Sequence, residues 1–132
     1  MKEVYAPIIR NLPEADIPVA GIRGWLLQSE HGQLVFFEIE PWAKVPEHSH
    51  KQQWGTVVSG EMSLTVSGET RRYRPGETYF IPAGAVHSAV FHSRCYVIDL
   101  FEDRDRYKII PIVPMKTMSV LLKPLIYSGI LT

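Results

Sequence analysis

Two histidines stand one residue apart in PEHSHKQQWGTVVSG, at His48 and His50. On a strand, residues two apart project from the same face, so both imidazoles can aim at one point. Imidazole is the commonest side-chain ligand for a divalent metal, and two that converge need at least one more group to close a site. Gln53 lies three residues past His50, and strand parity alone puts it on the opposite face. A bend at Lys51-Gln52 would bring it back, with Gly55 and Val57 following it inward. The remaining candidate is His87 in PGETYFIPAGAVHSAVF, just after the tight turn at Pro82-Ala83-Gly84. Nothing local brings His87 to His48; the fold has to do it.

The elements available to do so are short strands. IRGWLLQS (22–29) and QLVFFEIE (33–40) flank Glu30-His31-Gly32, a hairpin turn. QWGTVVS (53–59) and MSLTVS (62–67) flank Gly60-Glu61, and Met62, Leu64 and Val66 alternate with Ser63, Thr65 and Ser67. Turns at 67–69 and 74–77 lead to further strands in TYFIP, HSAVF and CYVIDLF. The one weak helical pattern falls at 12–17, with Pro13 in a first turn. Close-spaced strands with Gly and Pro turns predict an all-β antiparallel sandwich or barrel whose interior can hold a ligand.

The two histidine segments resemble the paired motifs of the cupins. HSHKQQWGTVVSG is similar to the first motif and GETYFIPAGAVHSAVF to the second, through Gly76, Pro82, Gly84 and His87. The resemblance runs in detail from Trp42 to Phe101 and loosely back to Ile22. It implies a double-stranded β-helix, or jelly-roll, barrel with one divalent metal in its cup. His48, His50 and His87 would be ligands, with Gln53 where the family usually has Glu. Phe91 also replaces the usual final Asn of the second motif. A set of three neutral imidazoles and an amide leaves the cation's charge uncompensated, so it should retain metal less firmly than a carboxylate site and draw an anionic ligand. Gln53 either ligates directly or hydrogen-bonds a metal-bound water or the substrate. Nitrogen-rich ligation suits Zn, Ni, Cu or Fe, with Mn less favoured.

Other residues carry weaker readings. Glu38 alternates with Leu34 and Phe36, which makes it a candidate inward-facing acid–base group. Trp25, Phe37, Trp54, Tyr79, Phe80 and Tyr96 are pocket candidates, read for the most part as core or interface aromatics. His31 and His92 read as solvent-facing, Cys95 as a small buried apolar residue, Arg71, Arg72 and Arg74 as a solvated strand face, and Glu102 to Arg106 as a surface exit from the barrel.

Fourteen basic residues balance fourteen acidic ones in 132, which removes the basic footprint of a nucleic-acid binder and weakly favours self-association, expected as a homodimer. A single cysteine suits a reducing compartment, and the charged, proline-bearing start lacks a signal-peptide core, so a cytoplasmic protein is expected. The division expected is a barrel domain over 1–108 and an apolar arm over 109–132, packed on the barrel or a neighbouring subunit. Pro111, Pro114, Pro124, Lys116 and Lys123 argue against a membrane span there. Function then divides between a metal-dependent enzyme acting on a small anionic molecule (oxygenase, isomerase, lyase or hydrolase) and a non-catalytic ligand-binding or sensory module.

Overall fold

The computed structural model describes residues 3–111. Residues 112–132, most of the arm expected beyond Lys108, lie outside the described residues. The chain forms two antiparallel sheets packed face to face. One holds five strands: β2 (Ile22–Ser29), β3 (Gly32–Ile39), β10 (Cys95–Phe101), β5 (Gln53–Ser59) and β8 (Thr78–Ile81), in that spatial order. The other holds β4 (Lys44–His48), β9 (His87–Phe91), β6 (Met62–Val66) and β7 (Glu69–Tyr73). A two-stranded ribbon joins β1 (Ala15–Asp16) to β11 (Lys108–Ile109). This is the expected jelly roll.

Local chemistry sets the turns. Ser67 and Gly68 both have positive φ, as a two-residue hairpin loop between twisted strands requires. The expected helix over 12–17 is absent. A single turn, α1 (Pro7–Arg10), forms earlier, with proline at its start, where a missing N–H costs nothing. The stretch 13–16 instead lies beside β2, through Leu26 N–H to Pro13 O (2.9 Å) and the Glu14–Trp25 bridge. A backbone that can satisfy its hydrogen bonds on a sheet edge has no need of a six-residue helix held by propensity alone.

The core lies between the sheets, where Val35, Phe37, Ile39, Val57, Val97 and Phe101 meet Met62, Leu64, Ala89 and Phe91. Outside the five-stranded sheet, Tyr5 packs edge-on against Trp25, Phe36 and Tyr96. That cover makes the outer face partly apolar too, and it decides which face Glu38 takes. On β3 Gln33, Val35, Phe37 and Ile39 alternate as buried residues, and Glu38 points outward with Leu34 and Phe36. The inward placement expected for Glu38 is therefore corrected: its carboxylate pairs with Arg10 at 3.4 Å and Arg94 at 3.7 Å. Among the described residues no helix is long and apolar enough to cross a membrane.

Candidate metal centre

Three features bring the histidines together. Strands β4 and β9 pair so that His48 is the direct cross-strand partner of His87. The register slips by one residue between Val45 and His48, and this bulge returns His48 to the inner face that Val45 also occupies. Gly84, at φ 81°, lets the chain turn tightly, and its N–H donates to His50 O at 2.8 Å. That bond ties the turn ahead of His87 to the loop that carries His50. The bend at Ser49–Gln52 then starts β5 with Gln53 facing inward, followed by Gly55 and Val57 on the same buried face.

The three rings lie 4.1 to 5.1 Å apart, centroid to centroid. One nitrogen from each falls within 4.8 Å of the others. Their tautomers follow from the backbone. His48 Nδ1 meets Pro46 O at 2.9 Å, His50 Nδ1 meets Lys51 O at 2.7 Å, and His87 Nδ1 meets Ala85 O at 2.9 Å. A carbonyl only accepts, so each Nδ1 carries the proton and each Nε2 keeps a free lone pair. Nε2 of His50 and of His87 is buried without a partner among the described residues, and so is Gln53 Oε1. Buried polar atoms seldom stay unpaired, and lone pairs converging on one point fit a cation.

His48, His87 and Gln53 open onto a cavity of about 590 Å³ lined by Ile39, Val45, Phe37, Tyr79 and Phe101 among others. Of the aromatic candidates, Phe37 and Tyr79 line it, whereas Trp54 and Phe80 are exposed on the outer face and Trp25 and Tyr96 contact Tyr5. His92 is exposed and bonds Ser63 Oγ at 2.7 Å. Cys95 is fully buried.

Two polar residues of the cavity escaped the sequence reading. Asp99 is buried on the inner face of β10. Burial raises its carboxyl to about pH 7, against hydrogen bonds from the Tyr79 hydroxyl (2.6 Å) and the Gln53 side chain. Its signal was present in CYVIDLF, where Asp99 shares a parity with the buried Cys95, Val97 and Phe101. Arg106 was expected on the surface. It instead lines the cavity, with its guanidinium over the Tyr107 ring at 4.8 Å. Its Nε is buried without a hydrogen bond, and the side chain has no ion pair among the described residues. Asp103, placed on the surface in the same reading, folds back to 3.6 Å from His50 Nδ1.

Burial also holds His87 down to about pH 4 and lowers His50, with Arg106 contributing repulsion to both. Between pH 4 and 6.5 the unfolded chain therefore binds more protons at these rings than the folded one, and their contribution to stability falls as pH drops. Asp99 acts with the opposite sign. Its folded value near 7 exceeds its ordinary 3.8, so its contribution falls as pH rises across that window. In metal-free protein the two slopes oppose each other. Denaturant unfolding of metal-free Asp99→Asn should show stability dropping steadily from pH 6.5 to 4, more steeply than wild type. Equal slopes would contradict this balance.

The cupin domain family profile matches residues 35–101, just over half of the chain. No curated protein sequence matches it. Among solved structures, KdgF from Halomonas sp. superposes with a TM-score of 0.61 at 24% identity, covering 69% of this chain and 87% of that one. An RmlC-like cupin from Shewanella frigidimarina gives 0.63 at 25% identity, covering 70% and 86%. A variant of oxalate decarboxylase from Bacillus subtilis gives 0.61 at 18% identity, covering 72% of this chain and 28% of that one.

Proposed function

The chain belongs to the cupin domain family, and on that premise we propose that it holds one divalent metal through His48, His50, His87 and Gln53 and acts on a small anionic molecule in the barrel. The observation that carries this reading is the set of lone pairs just described, fixed by three backbone carbonyls, with those of His50 and His87 buried, beside an arginine that has no ion pair among the described residues. Gln53 suits its place for a reason the family's usual Glu would not. Its side chain hydrogen-bonds Asp99, and its Oε1 has no partner among the described residues. A glutamate would set two carboxylates against each other there.

Bound at these ligands, a divalent metal supplies Lewis acidity toward an oxygen of the bound molecule. The protein's own groups do the rest. Arg106 pairs with the molecule's negative charge, and its partly buried setting strengthens that pairing relative to water. Asp99, poised near neutrality, takes or returns a proton within the cavity. Tyr79 donates to Asp99 Oδ1 and fixes which way the carboxyl faces. The apolar walls limit competing water. A proton-transfer group at this site favours an enzyme over a passive binding module. Isomerisation, lyase chemistry, hydrolysis and oxygenation all remain within reach of these groups.

Calorimetric titration of the metal-loaded protein with small mono- and dicarboxylates tests the anion site. At least one should bind, and Arg106→Gln should weaken it about tenfold or more, the range for loss of a charge-assisted hydrogen bond. Equal binding by the variant would remove Arg106 from the reading. A homodimer, expected from the zero net charge and the apolar arm, in the cytoplasm, which suits the single cysteine, completes the proposal. Sedimentation should show a dimer, and a monomer at all concentrations would contradict it.

A further inference from the structure

The outer face of the five-stranded sheet carries a row of large apolar side chains in register. Leu27 pairs with Leu34, Leu34 with Leu100, Leu100 with Trp54, and Trp54 with Phe80. The row therefore crosses all five strands. Leu27 is 46% exposed, Leu100 48%, Trp54 43% and Phe80 54%. The neighbouring row behaves differently, because Tyr5 covers Trp25 and Phe36. Five strands at about 4.8 Å spacing make the row about 19 Å long and one residue wide. That shape suits a single length of chain better than a second sheet, which needs a broad face of about 800 Å² on each partner.

The chain's own exit points at this row. Strand β11 pairs with β1 through Ala15–Ile109 and Asp16–Lys108, and Ile110 N–H donates to Glu14 O at 2.8 Å. Glu14 in turn bridges Trp25, and Pro13 O accepts from Leu26 N–H. Each step toward the carboxyl terminus on β11 is thus a step along β2 toward Leu27. The chain that follows Pro111 is IVPMKTMSVLLKPLIYSGILT, with no acidic residue and with Lys116 and Lys123. At about 3.3 Å per residue it is several times longer than the row. Glu102, two residues past Leu100, is exposed and has no ion pair among the described residues, so it can receive one of those lysines.

We propose that the row from Leu27 to Phe80 is the docking site of this chain's own segment 112–132. Docking there covers apolar surface that would otherwise draw other molecules. It is independent of the metal site, which lies on the opposite face of the sheet.

A nitroxide on Ser128→Cys in the full-length chain reads this directly, since the native Cys95 is fully buried. Paramagnetic broadening of the Trp54 indole and of the Leu27 and Leu100 amides is expected. It should persist when labelled chains are diluted into unlabelled ones, and Leu100→Glu should abolish it. No broadening in the undiluted sample would overturn the proposal. So would broadening of isotope-labelled, nitroxide-free chains by nitroxide-bearing ones, which would put the segment on a second copy.

Discussion

His87→Ala, purified as the wild type is, should lose its divalent metal. Affinity should fall by well over about 100-fold, because removal of a mere supporting contact already costs 10- to 100-fold. The argument rests on how few ligands the site has. His87 Nε2 is one of three imidazole nitrogens held within 4.8 Å, and Gln53 adds only a neutral amide oxygen. With one ring gone, two imidazoles remain and no carboxylate compensates. The fold should survive, since the alanine removes a buried polar atom, Nε2, that has no partner among the described residues. His92→Ala is the control, because that ring is exposed and bonds only Ser63. Metal content by elemental analysis, with thermal unfolding alongside, checks both. Equal metal in His87→Ala and wild type would remove His87 from the site.

Gly55→Ala should produce the largest loss of stability of any single added methyl in the cup. Gly55 sits on β5 between Gln53 and Val57, opposite both Asp99 on β10 and Tyr79 on β8. A Cβ there would collide with Asp99 Oδ1 and with the Tyr79 ring. Both obstacles are buried, and their 2.6 Å hydrogen bond holds them in place. Overpacking of this kind costs about 1–3 kcal/mol. Denaturant unfolding should show a shifted midpoint with an unchanged slope. In a Tyr79→Leu background the same methyl should cost less, by about 0.5 kcal/mol or more, as expected for residues in contact. Strict additivity would mean that Gly55 is not there to make room for the Asp99–Tyr79 pair.

The fold was legible because the barrel depends on patterns a sequence displays. Met62, Leu64 and Val66 alternate openly, and the hairpin from Ile22 to Ile39 has a clear turn. The candidate site was legible where a motif encodes it, as at His48, His50 and His87. Two kinds of information were hidden. The first was parity: Phe36 and Phe37 are adjacent and both apolar, because Tyr5 covers one face while the core takes the other. Nothing within β3 says which phenylalanine faces in, and so Glu38 was assigned to the wrong side. The second was return of the chain: residues 102–106 look like a solvated exit because five successive positions are charged. Only the pairing of β11 with β1 turns Arg106 back over the cup. Asp99 is a different case, since its inward parity was readable and its chemistry was simply outnumbered by the apolar residues around it.

The most direct test of the central claim is a crystal structure of the protein purified without added metal, with anomalous scattering collected across the edges of Mn, Fe, Ni, Cu and Zn. The predicted result is one peak bonded to Nε2 of His48, His50 and His87. A peak bonded through Nδ1, a metal elsewhere in the barrel, or three imidazoles with no metal among them after stoichiometric loading would contradict it.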